Sequence, residues 1–428
     1  MGVSTSNKAT TVRFGYVCII ALAAVRSVLV ASANDIDSID LDQYTFEQYL
    51  IDFDKKYEHS TDKWIERESQ FYRNIKKILS HNEDSGMHRL GVNAFTDGSD
   101  LPLGYDKSLH HSWKGKSADR ISSSRKLSIS PHEMDLPFDA DTVDKLPSSI
   151  DWRESKVVTE VRNQGGCGSC WAFSAIEVLE SHVALQTGNL LDLSEQELLS
   201  CMSNPHQCGG NGGCAGANAE LAYDFVAKMG IVTDADMTYV SANGTVPACA
   251  LDNDEKYNKN APKGALVGLL TNAAVSIDGF SHIPTNDYVT LMNAVAKAGP
   301  VVVAVAASDW GLYKEGIFTD DGSQSADINH GVALVGYGTD EELGEDYWLV
   351  RNSWGKSWGE DGYIRLRRTD PSILDNPDDD CILDVTPLDG TVCANDETGK
   401  TIIPVAVKVC GTSGILFDGV IPVGGREI

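Results

Sequence analysis

The sequence predicts an α+β protein: a helix-rich part and a strand-rich part within residues 146–428, preceded by a small helical unit. Three observations predict it. Between residues 170 and 229 apolar side chains recur at helical spacing, and after residue 299 β-branched residues run in short, glycine-punctuated blocks. Upstream, residues 44–82 carry a charged, amphipathic helical pattern. Charge narrows the partners. With 62 acidic against 35 basic side chains and a formal charge of −27, the chain would repel a phosphate backbone, so nucleic acid is excluded.

From the N-terminus, Lys8 and Arg13 lead an apolar stretch, residues 14–25, and Ala31-Ser32-Ala33 is a small-residue cleavage pattern. Residues 1–33 therefore read as a secretory signal peptide. Arg26 ends the apolar run short of the ~20 residues of a membrane span, so no membrane association is expected once the signal is removed. Cys18 leaves with it. The remaining cysteines then travel an oxidising route in which disulfides persist.

Residues 34–97 form the helical unit. Phe46, Tyr49 and Phe53 are spaced by three and four, and Arg67, Phe71, Asn74, Ile78 and Asn82 fall on one helical face ahead of Gly91-Val92-Asn93-Ala94-Phe95-Thr96-Asp97. Residues 98–145 lack periodicity and read as a protease-sensitive linker.

In residues 146–428, Gln164-Gly165-Gly166-Cys167-Gly168-Ser169-Cys170-Trp171 opens a helix-prone run with apolar side chains at 172, 173, 176 and 179. Cys170 sits on the first turn, where unpaired N–H groups and the helix dipole favour thiolate. A zinc ribbon would need a second C-x-x-C, which is missing, so no metal is expected. Ser194 and Glu197 have capping-box spacing, and residues 220–229 make another helix. Residues 299–305, 330–338 and 347–352 read as strands. His330 begins one of them, and the side-chain oxygen of Asn352 can accept its imidazole N–H and set the tautomer. Residues 370–409, acidic and Pro-interrupted, form an insertion holding Cys381 and Cys393, with no function assigned.

Residues 164–171 resemble the active-site signature of papain-like cysteine proteases, and the fragments around His330 and Asn352 follow in that family's order. The 67–82 face and the G-x-N-x-F-x-D motif resemble the inhibitory propeptide of cathepsin L-type members, with Lys63 where a glutamate is expected. Leu146-Pro147-Ser148-Ser149-Ile150-Asp151-Trp152 resembles the start of their mature chains. The resemblance implies a two-lobe fold, with a helical left lobe and a β-barrel-like right lobe, behind a small helical propeptide domain. The propeptide would lay a tail along the cleft in a non-cleavable direction. Cys170 would be the nucleophile, paired as thiolate with a His330 imidazolium; Asn352 would orient His330, and Gln164 would help form an oxyanion hole. Gly212, Gly213, Asn329, Trp354 and Asp418 would bind substrate, Asp418 giving some tolerance for Arg.

The same resemblance implies a monomeric cysteine endopeptidase that needs no metal or organic cofactor. It would act on protein and peptide substrates, with its own propeptide as inhibitor. The lysosome, the vacuole or the extracellular space would be its destination. Protonation of propeptide carboxylates such as Asp97 would loosen the cap in acid. Two other classes stay open: an inactive binding or storage protein, and a disulfide oxidoreductase using Cys167 and Cys170. For the other cysteines the resemblance implies Cys167–Cys208 and Cys201–Cys249. Cys214, Cys381, Cys393 and Cys410 then allow three pairings, of which Cys393–Cys410 closes a short loop and leaves Cys214–Cys381.

Overall fold

The computed structural model describes residues 1, 40–83, 86–104, 132–249, 272–320, 327–386, 393, 400 and 406–428. The signal peptide and most of the linker lie outside the described residues.

The N-terminal unit is built on α1 (Phe46–Asp52) and α2 (Asp62–Glu83). Thr45 caps α1 by accepting the Gln48 N–H. Phe46, Tyr49, Trp64, Phe71 and Ile78 are buried together. The polar members of the 67–82 face hold the motif loop: Asn74 donates to Thr96 O at 2.9 Å, Asn82 exchanges two hydrogen bonds with Leu90, and Arg67 donates to Gly98 O. Asp97 is fully buried, accepts from Tyr57 at 2.6 Å and from Ser99, and pairs with Lys55 at 3.3 Å. Burial works against its charge. The hydrogen bonds from Ser99 and Tyr57 and the Lys55 ammonium outweigh that cost and hold the carboxyl below the ordinary carboxylate value. A carboxyl held low in this way gives up its charge only in stronger acid than a free one would.

The unit docks through β1 (His88–Leu90), which pairs antiparallel with a strand of the main sheet, and through Asn93, which donates to Gly311 O at 2.7 Å. After β2 (Ile150–Asp151) the helical lobe is laid down by α3 (Cys170–Thr187), α4 (Glu195–Cys201) and α5 (Ala219–Met229). Because α3 is apolar on nearly every side, it is buried from residue 170 to residue 184 and becomes the axis of this lobe. Gly188, at φ 82°, ends it in the left-handed conformation. Ser194 caps α4 as expected, but Glu197 turns away from the cap and accepts the Val232 N–H at 2.8 Å.

Next come β3 (Val275–Ser276), β4 (Gly279–Ile283), α6 (Tyr288–Lys297), β5 (Val301–Val305), β6 (Tyr313–Phe318) and β7 (His330–Asp340). They are followed by β8 (Glu345–Arg351), β9 (Tyr363–Arg367), β10 (Cys381–Asp384), β11 (Val407–Cys410), β12 (Asp418–Val423) and β13 (Arg426–Glu427). The main sheet runs β1-β6-β9-β8-β7-β5-β12-β4, with β2 added on β7. Among the described residues it does not close on itself. Val302, Ala333 and Val420 face the α3 core, whereas Val301, Val303 and Leu334 pack in the second core with α6. That alternation makes the sheet the wall between the two cores.

The disulfides are Cys167–Cys214, Cys201–Cys249, Cys208–Cys393 and Cys381–Cys410. The Cys201–Cys249 bond is as expected. The Cys167–Cys208, Cys393–Cys410 and Cys214–Cys381 expectations are corrected. In the first case the Gly209–Gly213 turn folds back so that Cys214, not Cys208, comes beside Cys167, with Gly168 N–H donating to Cys214 O at 3.1 Å. In the others, the β10–β11 pairing sets Cys381 directly opposite Cys410 and frees Cys393 to reach Cys208.

Candidate active site

The site forms where α3 starts and β7 starts. Cys170 is the first residue of α3 and His330 the first of β7, and both line one cavity with Asn329, Glu220 and Asp418. Their approach is fixed by glycine: the Gly331 N–H donates to Cys170 Sγ at 3.4 Å, and a Cβ on Gly331 would crowd Ser174 Oγ at 3.0 Å. Cys170 is the only free cysteine among the described residues. Since Cys167 is bonded elsewhere, the C-x-x-C pair cannot act as a redox couple.

His330 Nε2 lies 2.8 Å from Asn352 Oδ1, and Nδ1 is buried without a partner. With Nε2 as the donor, Nδ1 is the nitrogen left to accept a proton. Asn352 follows β8, whose last residue, the fully buried Arg351, pairs with Glu177 of α3 at 3.2 Å. That ion pair ties the strand that positions Asn352 to the helix that carries Cys170. Trp354 lies over the ring, centroids 5.0 Å apart, and shields the His330–Asn352 bond from water.

Gln164 is fully buried and pinned: its N–H donates to Ser353 O at 2.9 Å, and its Oε1 accepts from Ser353 Oγ at 2.6 Å. Nε2 is thereby aimed into the cleft. There it donates to the carbonyl of Pro102 at 2.7 Å, a residue of the N-terminal segment. Two residues on, Gly104 donates to Asn329 O at 2.9 Å, and a Cβ on Gly104 would stand 2.5 Å from Cys170 Sγ. Upstream, Phe95 packs edge-on against Trp354 at 5.3 Å. The segment thus threads the cleft from Trp354 past the sulfur.

Covered in this way, the thiol and the imidazole are both buried away from water. Burial pushes the Cys170 thiol up to about 11, against the opposing N–H groups of Gly331 and Trp171, and pushes the His330 imidazole down to about 4, against Asn352. Both shifts oppose a thiolate–imidazolium pair while the site is covered, and entry of water would relieve them.

Two expected substrate residues, Gly212 and Gly213, are not among those that line the Cys170–His330 cavity. Gly213 packs on Val246 and its carbonyl accepts from Trp171 Nε1, while Gly212 lies toward Asn204. The glycine that faces the segment is Gly216, at φ 89°, where a Cβ would overlap the carbonyls of both Gly104 and Gly209. Sequence reading chose the denser glycine run; the alternative signal was the Cys214 spacing, which shifts the register toward Gly216.

Glu220 and His282 were also missed. With Asp418 they offer ligand-type atoms within 4.8 Å of one another, and Glu220 and Asp418 line the cavity. Burial, then the charge of Asp418, pushes the Glu220 carboxyl up to about 7, and burial raises Asp418 as well. With two carboxyl groups to one imidazole, this part of the cavity carries more acid than base.

Comparison with known proteins gives the same outline. The model for papain family cysteine proteases matches residues 146–378, and that for the cathepsin propeptide inhibitor domain matches residues 46–100. Oryzain beta chain of Oryza sativa subsp. japonica is 39% identical over 70% of this chain and 56% of its own length. Vignain of Phaseolus vulgaris is 35% identical over 80% of this chain and 86% of its own. Among solved structures, the proform of the Amb a 11 cysteine protease, a ragweed pollen allergen, aligns over 89% of this chain and 93% of its own. That alignment has a TM-score of 0.59 at 28% identity.

Proposed function

Because the chain belongs to the papain family of cysteine proteases, we propose that it is a cysteine endopeptidase of the secretory pathway, made as a zymogen, whose reaction runs through Cys170, His330, Asn352 and Gln164. One observation carries this reading: a peptide carbonyl, that of Pro102, already rests 2.7 Å from Gln164 Nε2, two residues before the glycine seated on Cys170, the only free cysteine among the described residues. A substrate carbonyl held the same way is polarised at its oxygen and exposed at its carbon.

The sequence of steps follows from the donors. Once uncovered, Cys170 passes its proton to His330 Nδ1 and the thiolate adds to the carbonyl carbon. The oxyanion is held by Gln164 and the Cys170 N–H. His330 returns the proton to the departing amine, and the acyl-thioester is then hydrolysed by water that His330 deprotonates. Asn352 keeps Nδ1 as the basic nitrogen throughout. The acidic end of the cavity, Glu220 with Asp418, favours a basic side chain next to the residue that is cleaved after. Residues 1–33 act as the signal for export, and residues 34–145 as inhibitor and linker, toward a vacuolar, lysosomal or extracellular destination.

The test is titration of the matured enzyme with a thiol-directed epoxide, followed by cleavage profiling of a peptide library with Cys170→Ala as control. One equivalent of label, loss of cleavage in the control and internal cleavage sites are expected. A matured protein that binds no label, or that trims only termini, overturns the reading.

A further inference from the structure

Residues 132–145 precede the expected start of the mature chain at Leu146, yet they are built into the body of the catalytic part. β4 ends the main sheet, and a bare sheet edge leaves backbone groups unpaired. Pro422, opposite Phe280 in β12, has no N–H to give. The chain at 132–134 supplies the partners: the Phe280 N–H donates to His132 O at 3.0 Å, and Phe280 O accepts the Met134 N–H at 2.8 Å. Ser281 Oγ then donates to Asp135 O at 2.8 Å. Phe280 and Ser281 are both buried with this segment in place.

Gly279 shows that β4 is shaped for the contact. A Cβ there would stand 2.0 Å from His132 O, and Gly279 is not among the glycines with a left-handed backbone. Its missing side chain serves the close approach, not a turn. The segment is held on either side of β4 as well. His132 Nδ1 lies 2.8 Å from Asp224 Oδ1 on α5. Asn293 of α6 accepts the Asp141 N–H and donates to Asp141 O, both at 2.8 Å, and Lys297 donates to Asp139 O at 2.7 Å and pairs with Asp141 at 2.6 Å. Leu136, Phe138 and Val143 pack on the second core.

The bond expected to be cut is itself folded. Val143–Lys145 form a 3₁₀ turn in which the Lys145 N–H donates to Thr142 O and the Leu146 N–H to Val143 O, both at 3.0 Å, and Leu146 packs on the second core. Proteolysis favours exposed backbone free of such bonds, so a cut at Leu146 requires this turn to unwind first.

We propose that residues 132–145 stay joined to the mature enzyme as an N-terminal strap over the β4 edge, and that the cut that frees the cleft falls on the N-terminal side of His132. The proposal rests on the zymogen reading above. Gly104 sits on the sulfur, whereas the strap's partners lie on α5, β4 and α6, so uncovering the thiol requires the chain through Gly104 to leave and the strap to stay as it is.

The experiment matures the purified full-length zymogen in acid and reads the terminus of the active form by N-terminal sequencing and by mass under denaturing conditions, which strip off a strap that is bound but no longer joined. A terminus at or before His132 is expected. A terminus beyond His132 in enzyme that takes up one equivalent of epoxide overturns the strap without touching the protease reading. Failure to label after acid treatment sinks the protease reading instead. Gly279→Ala crowds His132 O and should lower the thermal midpoint of the matured enzyme; an unchanged midpoint overturns the seating on β4. The wild-type terminus needs no variant, so it decides even if Gly279→Ala does not fold.

Discussion

Replacing Gly104 with alanine tests how the zymogen is silenced, because the new methyl would stand 2.5 Å from Cys170 Sγ. Ordinary carbon–heavy-atom contact lies at about 3.5–4 Å, so the segment must retreat by roughly 1 Å. The sulfur cannot yield, being on a short side chain at the start of a buried helix. Overpacking of this kind costs about 1–3 kcal/mol, and retreat strains the 2.9 Å bond to Asn329 O, a further ~1 kcal/mol. Together about 2–4 kcal/mol is lost from the closed state, roughly 30- to 700-fold in the open fraction. The assay is the rate at which a thiol-directed epoxide labels the uncleaved Gly104→Ala zymogen at pH 7. Gly104 lies in the segment to be removed, so matured wild-type and variant enzymes should have equal kcat/KM. That equality is the internal control. Labelling within twofold of wild type, with normal matured enzyme, would refute the seating of this segment on the sulfur.

Other perturbations separate the remaining parts. Gln164→Ala removes the amide that holds Pro102 O and should lower kcat by about 100- to 1,000-fold. Epoxide labelling of that matured variant should stay within a few-fold of wild type; unchanged kcat would remove Gln164 from the oxyanion site. Asp97 has a carboxyl held below its ordinary value, so its contribution is complete above that value and is lost only as pH falls through the depressed one. Asp97→Asn should therefore loosen the cap by about 1–3 kcal/mol at neutral pH and allow processing at pH 7. A variant that processes at pH 7 no faster than wild type would count against this. Glu197 has the opposite sign: burial pushes it up to about 7 and one oxygen has no partner, so its stability contribution is present at low pH and is lost as pH rises from about 4.5 through 7. Glu197→Gln should raise the thermal midpoint at pH 8 and change it little at pH 5, by on the order of 3 kcal/mol at the alkaline end. Equal effects at both pH values would contradict that coupling.

The helices and strands were legible because their causes are local. The apolar run behind Cys170 dictates a buried helix, Ser194 and Thr45 carry their own caps, and the Val-rich blocks can only be strands. Cys170, His330, Asn352 and Gln164 could be singled out as the proposed reacting set because each sits among neighbours that mark it without the others. Disulfide pairing was not. It depends on which loops fold back, and no property of one cysteine records the position of another.

Charge states belonged to the tertiary structure as well. A thiol on a first helical turn reads as acidified, yet the segment laid over it removes water, and desolvation outweighs the nearby N–H groups. Asp97 shows the same rule with the opposite result: it is buried, but Tyr57 and Lys55 meet it from forty or more residues away and Ser99 from two residues on, and together they hold its carboxyl below the ordinary value. The sequence by itself determined the lobes, the order of the reacting side chains and the existence of an inhibitory cap. Only the tertiary structure decided which cysteines meet, which glycine faces the cleft and which groups carry charge, because each depends on distances between residues far apart in the chain.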